Sequence, residues 1–157
     1  MSKRAAIRMT DEELADFLAK ERKVQIATIG KDGAPHLVTM FYTLWEGKIA
    51  FTTYKNSQKI LNLQRNPVMT CLVETGTDYN ELRGASLTGN VLITDDPAVL
   101  DPVGQAVGHQ IIGLEPPADL TKADPAVVEG IRHMMRKRFV VILEPTKISS
   151  WDHAKLG

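Results

Sequence analysis

Three strand-like segments between residues 24 and 54 are joined by turns too short for anything but hairpins, and this limits the folds open to the chain. Residues 24–29 (VQIATI) read as a strand. Gly30-Lys31-Asp32-Gly33 then supplies the glycine and aspartate that tight turns need. Residues 35–45 form a second strand. Glu46-Gly47-Lys48 turns into a third over residues 49–53. Parallel neighbours need a crossover of a dozen or more residues, so these three strands must run antiparallel.

The remaining elements fit around them. Thr10 with Glu13 is a capping box that opens a helix, with Leu14, Phe17 and Leu18 on its apolar face. A fourth strand is expected over 68–74, then a loop with Gly76, Asp78 and Asn80. A long strand over 83–94 carries Gly84 and Gly89, each a bulge or a close approach. Asp95-Asp96-Pro97 starts a helix with proline in its first turn. Residues 108–124 read as an irregular surface segment and 125–138 as a helix. A last strand covers 139–143 and 147–151, interrupted at Glu144-Pro145. The order is helix, three strands, helix, two strands, two helices, strand. This predicts a single domain over residues 1–157, mainly β with flanking helices, whose six mostly antiparallel strands form a small barrel. Strands and helices do not alternate as in a Rossmann domain, and neither G-x-G-x-x-G nor a P-loop occurs.

Chemistry concentrates between residues 49 and 67, IAFTTYKNSQKILNLQRNP. A strand ends in Thr52 and Thr53, a turn follows, and Ser57 stands at the N-cap of a helix whose apolar side is Ile60, Leu61 and Leu63. A helix N-terminus offers unpaired N–H groups and the positive end of its dipole. Two threonines, a capping serine, Lys55 and Lys59 at one point have the composition of a phosphate site. The plainer account is a capped helix with solvated lysines.

Composition excludes several alternatives. Nineteen basic residues balance nineteen acidic ones, so no overall basic excess supports binding to nucleic acid. The single Cys71 allows no internal disulfide and no multi-cysteine zinc site. His36, His109, His133 and His153 are too scattered for a metal-ligand set, and no metal is expected. No run approaches the length of a membrane span, so a soluble, cytoplasmic protein without a membrane partner is expected. No nucleophile–base arrangement is legible, and no catalytic residue is assigned. The run Arg132–Arg138 reads as the solvated last turn of a helix, with attraction of an anionic tail as a lesser role.

In their order, these segments resemble the flavin and deazaflavin split-barrel superfamily, which includes pyridoxamine 5′-phosphate oxidase. VQIATIGKDGAPHLVTMFY is similar to the family's first hairpin. IAFTTYKNSQKILNLQRNPVMTCLVE is similar to its strand, phosphate turn, helix and next strand. LRGASLTGNVLITDDP is similar to its long strand, and FVVILEPTKISSWDHAKLG to its closing strand. In the oxidase pattern a Ser-Arg-Lys triplet holds the phosphate of FMN; here it reads Ser57-Gln58-Lys59, without the arginine. The chain also lacks the arginine-bearing C-terminal segment that serves pyridoxal phosphate. The ending SSWDHAKLG and the first hairpin resemble the branch that binds coenzyme F-420, a deazaflavin with a phosphate and a glutamate tail.

The resemblance implies a two-fold homodimer with cofactor sites between subunits. Thr52, Thr53, Ser57, Gln58 and Lys59 would hold the phosphate, with Lys55 joining them or reaching the tail. Leu37, Val38, Thr39, Met40 and Phe41 would lie along the ring system. Asn80, Arg83 and Trp151 would reach the site from the partner chain. The implied activity is hydride transfer from reduced F-420 to a small conjugated organic acceptor. The alternatives are an FMN-dependent oxidoreductase of the pyridoxamine phosphate oxidase type and a non-catalytic flavin- or F-420-binding protein.

Overall fold

The computed structural model describes residues 1–157. Seven antiparallel strands form one sheet: β1 (Lys23–Ile29), β2 (Pro35–Phe41), β3 (Thr43–Trp45), β4 (Lys48–Tyr54), β5 (Val68–Thr75), β6 (Arg83–Thr94) and β7 (Arg138–Asp152). Their spatial order is β2-β1-β5-β6-β7-β4-β3. The two edges, β2 and β3, are thus consecutive in sequence and separated only by Tyr42. The sheet curls until its edges meet at that residue.

The single strand expected over 35–45 is therefore two, and the strand count is seven rather than six. Tyr42 causes the break. Its side chain is 1% exposed, its Oη donates to the Leu18 carbonyl at 2.6 Å, and its N–H donates to the Arg22 carbonyl at 2.9 Å. One residue whose backbone and side chain both bond outside the ladder ends one pairing and starts the next. Glu46 (φ 51°) and Gly47 (φ 78°) then form the left-handed turn that returns the chain into β4.

Five helices flank the sheet: α1 (Lys3–Ala6), α2 (Asp11–Lys20), α3 (Gln58–Arg65), α4 (Pro97–Ile111) and α5 (Pro125–Met135). The Thr10–Glu13 capping box is present at α2, and Asp96 caps α4 ahead of Pro97. The main core gathers Phe17, Ile26, Phe51, Ile60, Leu63 and Val141 inside the curl. A smaller cluster lies on the outer face, where Val103 and Val107 of α4 meet Ala50, Val140 and Ile142.

Three expectations are corrected. First, α4 continues to Ile111, so the irregular segment starts later than residue 108. Gly108 belongs to the helix because Ile131 of α5 packs on it: a Cβ there would lie 2.4 Å from Ile131 Cγ2. Second, α5 ends at Met135, and Arg138 is the first residue of β7 rather than part of a helical turn. Third, β7 is continuous through Glu144-Pro145. The ladder shifts register there, with Thr88 opposite Lys147 and Gly89 opposite Pro145. Gly89 is required at this bulge, since a Cβ would collide with the Glu144 carbonyl.

Candidate functional site

Strand β4 delivers its last residues to the N-terminus of α3. Ser57 caps the helix, its Oγ accepting from Ile60 N at 3.4 Å and from Thr53 Oγ1 at 3.2 Å. The serine hydroxyl hydrogen stays available to a ligand, as do the first N–H groups of the helix, which have no partner within it. Adjacent strand residues face opposite ways, and this divides the two threonines. Thr53 turns toward Ser57. Thr52 lies on the face of Ala50, 1% exposed, and its hydroxyl has no partner.

The lysines also separate. Lys55 is held by Asp95 at 2.6 Å, with its ammonium 4.9 Å from the centroid of the Phe139 ring. The hydrogen bond and charge of Lys55 hold the Asp95 carboxyl below its ordinary pKa. Lys59 is half-buried and forms no ion pair. Burial, and then the charge of Arg138, push its pKa down.

Sequence reasoning did not place Arg138 at this end of β4. It stands opposite Tyr54 in the β4–β7 register, with its guanidinium carbon 4.3 Å from the tyrosine ring centroid. The Lys55 N–H donates to the Lys137 carbonyl at 3.0 Å and fixes this junction. Arg138 Nε is buried without an acceptor. The available signal was the basic run 132–138, but only the register of β7 separates its last member from the helix.

Gln58 points elsewhere. Its amide donates to Asn62 Oδ1 at 2.8 Å, and the Asn62 amide, fully buried, donates to Thr28 Oγ1 at 3.0 Å. Gln58 and Asn62 line a cleft of about 570 Å³ together with the β1–β2 turn and His36. His36 stands opposite Thr28 in the β1–β2 register, and its Nδ1 is buried without a partner. On β2 the side chains alternate as expected. Val38 and Met40 pack toward the main core, Leu37 and Thr39 are exposed, and Phe41 joins the outer cluster.

The remaining expected residues sit at the far end of the sheet. Arg83 pairs with Asp152 at 3.2 Å and lies 5.2 Å from the centroid of the Phe17 ring. Trp151 lies opposite Gly84, whose Cβ would be 2.4 Å from the indole. Asn80 is exposed on the short turn Tyr79–Glu81. Thr94 shares a row with Val140 and Thr52. Arg83 is thus separated from the turn by the length of β6, roughly 36 Å of strand at about 3.3 Å per residue. One chain does not bring Asn80, Arg83 and Trp151 to Ser57. No group of three or more histidine, cysteine, aspartate or glutamate side chains is placed to hold a metal ion, and no helix is long and apolar enough to cross a membrane.

A search of curated proteins gives no match. Among solved structures, the chain is similar to conserved hypothetical protein Rv2991 from Mycobacterium tuberculosis, with 37% identity, a TM-score of 0.88, and coverage of 100% of this chain and 93% of that one. An F-420 reductase matches at 24% identity and TM-score 0.61, over 85% of this chain and 94% of that one. An FAD-binding protein from Mesorhizobium loti matches at 17% identity and TM-score 0.66, over 90% and 94%. The family described as pyridoxamine 5′-phosphate oxidase matches residues 10–152. Hairpin, capped turn, long β6–β7 ladder and family match agree, and the chain belongs to the pyridoxamine 5′-phosphate oxidase family.

Proposed function

We propose that the protein is an oxidoreductase that binds coenzyme F-420 at the turn between β4 and α3 and serves hydride transfer from its reduced form to a small conjugated organic acceptor. The observation that carries the reading is Lys59: a half-buried lysine with no carboxylate partner, in the first turn of a helix capped by Ser57. A phosphate placed there meets an ammonium, the Ser57 hydroxyl and the first helical N–H groups, each a strong partner for an anion. The residues present fit a phosphorylated cofactor.

A deazaflavin has carbon where a flavin has its reactive nitrogen, and it supplies two-electron hydride chemistry in preference to reaction with oxygen. This chain's residues bind and orient. Lys59 and Ser57 hold the phosphate end. The backbone of Leu37–Phe41 offers a strand for the ring system. Asn80, Arg83 and Trp151 of a second copy would cover the site in a two-fold dimer, and the exposed Leu37 and Tyr79 are apolar surface that such a dimer would hide. No side chain is assigned as proton donor.

The preference for F-420 over FMN rests on the missing arginine of the phosphate triplet and on the resemblance of the first hairpin and the ending. An FMN-dependent oxidoreductase on the same scaffold, which the resemblance also implies, is the second reading. A paired fluorescence titration with F-420 and FMN separates them. Micromolar or tighter binding of F-420 with much weaker FMN supports the reading. Preference for FMN moves the protein to the flavin branch, and binding of neither removes the cofactor assignment. Sedimentation velocity tests the dimer.

A further inference from the structure

The N-terminal segment and the end of β7 enclose a cleft of about 320 Å³, lined by arginine and serine side chains and by no acidic residue. Hydrogen bonds join its walls. Arg4 Nη2 donates to Ser149 Oγ at 3.2 Å, Met9 N donates to Ser150 Oγ at 3.1 Å, and Asp152 N donates to the Ile7 carbonyl at 2.7 Å. On the same cleft, Ser2 Oγ accepts from Ala5 N at 3.2 Å. Each serine oxygen therefore accepts from the chain, yet no serine hydroxyl here donates to an acceptor in it. Ser150 is only 9% exposed, so its unused donor is largely out of reach of bulk water, at a cost in free energy.

Two guanidiniums complete the donor set. Residues 1–10 carry Lys3, Arg4 and Arg8 and no acidic residue. Arg22, Arg83 and Arg132 each have a carboxylate within 4 Å, whereas Arg4 and Arg8 have none. Arg8 is anchored through its carbonyl, which accepts from Lys155 Nζ at 2.9 Å, and Lys155 is itself paired with Glu13. We infer that this cleft binds the oxyanion of a small molecule, a phosphate or carboxylate group, held by Arg4 and Arg8 together with the hydroxyls of Ser149 and Ser150. A guanidinium presents paired donors to such oxygens, and the serine hydrogens supply further bonds. The anion gives both arginines a counter-charge and Ser150 its acceptor. The site lies at the opposite end of β7 from the turn between β4 and α3, and it does not depend on what that turn binds.

The test is a titration of the whole chain with inorganic phosphate and, separately, with citrate, at an ionic strength held constant with sodium chloride. Nitrogen-15 NMR follows the backbone N–H signals of Arg8, Ser149 and Ser150. We expect a saturable shift with at least one of the two anions, and which one saturates tells phosphate from carboxylate recognition. The double variant Arg4→Gln, Arg8→Gln should lose the response; both side chains are exposed, and an unchanged urea midpoint shows that the variant is folded. Ser149→Ala leaves the charge as it is and should weaken binding about threefold or more, the scale of one hydrogen bond. Lys3→Gln removes a neighbouring charge that does not line the cleft and should bind as the wild type does. A response that stays linear in both anions, or saturable binding that the double variant retains, overturns the inference. Equal losses in Lys3→Gln and the double variant reduce the effect to diffuse surface charge and overturn it as well.

Discussion

The hydroxyl of Tyr42 donates to the main-chain carbonyl of Leu18 across 2.6 Å. Through this bond, the residue that divides the two edge strands is tied to the end of α2. The phenol is buried, and burial raises its pKa further from neutrality. Tyr42→Phe keeps the ring and leaves the buried carbonyl without its donor. The expected loss is about 1–3 kcal/mol, visible in urea unfolding as a lower midpoint with an unchanged slope.

Gly84 accommodates the Trp151 indole. A methyl group at 84 would stand 2.4 Å from Trp151 Cζ2, so Gly84→Ala must displace the ring or the strand. A destabilisation of about 1–3 kcal/mol is expected, the usual effect of overpacking. Tryptophan fluorescence should shift with it, while Trp45 remains as an internal reference. A variant as stable as the wild type would show that the indole moves without cost.

Lys59 should oppose folding while serving binding. Its pKa is held below 10.5 in the folded protein, first by burial and then by Arg138. Between the lowered value and 10.5 the unfolded chain carries a proton that the folded chain has released. Stability therefore rises with pH across that window and carries the full penalty below it. Lys59→Met should be more stable than the wild type at pH 7 by about 0.5–1 kcal/mol, with the gap closing toward pH 10.5. Thermal unfolding of both proteins at several pH values measures it.

The two lysines of the turn should differ in binding. Lys59→Ala is expected to weaken a phosphate-bearing cofactor by about 1.5–3 kcal/mol. Lys55→Ala should cost less, because Asp95 already occupies its ammonium. Equal losses in isothermal titration would mean that Lys55 leaves Asp95 when ligand binds.

Cys71 should be inert in the native state. The thiol is fully buried and pushed up to about 12. Thiol reagents at pH 8 should label it only after unfolding, and mass spectrometry after iodoacetamide treatment checks this directly.

Most of the fold was legible because local signals and long-range contacts agree. The Thr10–Glu13 box, the Glu46-Gly47 turn, Gly84 and Gly89 each do what their residue types demand. The errors fall where packing overrides local pattern. Residues 35–45 alternate as one strand, and only the buried bonds of Tyr42 divide them. Gly108 reads as a break until Ile131 is set against it. At the candidate site, the capped turn with Ser57 and Lys59 was legible as local structure because both lie in one contiguous stretch. The place of Arg138 beside Tyr54 was not, because it depends on a pairing between residues more than eighty positions apart. The resemblance implies a phosphate role for Thr52 and Gln58; strand alternation puts the Thr52 hydroxyl on the face of Ala50, and the Gln58 side-chain amide bonds Asn62, neither of which can be read from the sequence.

The position of Tyr42 between both sheet edges carries a consequence for how the molecule breathes. In an open sheet, either border can fray while the other stays in place. Here the two borders are one piece of chain with a single latch, so loosening β2 pulls directly on β3. Amide protons from His36 to Trp45 should exchange as one cooperative group. A ligand lying along β2 would then slow exchange on β3 as well, on the far side of the seam.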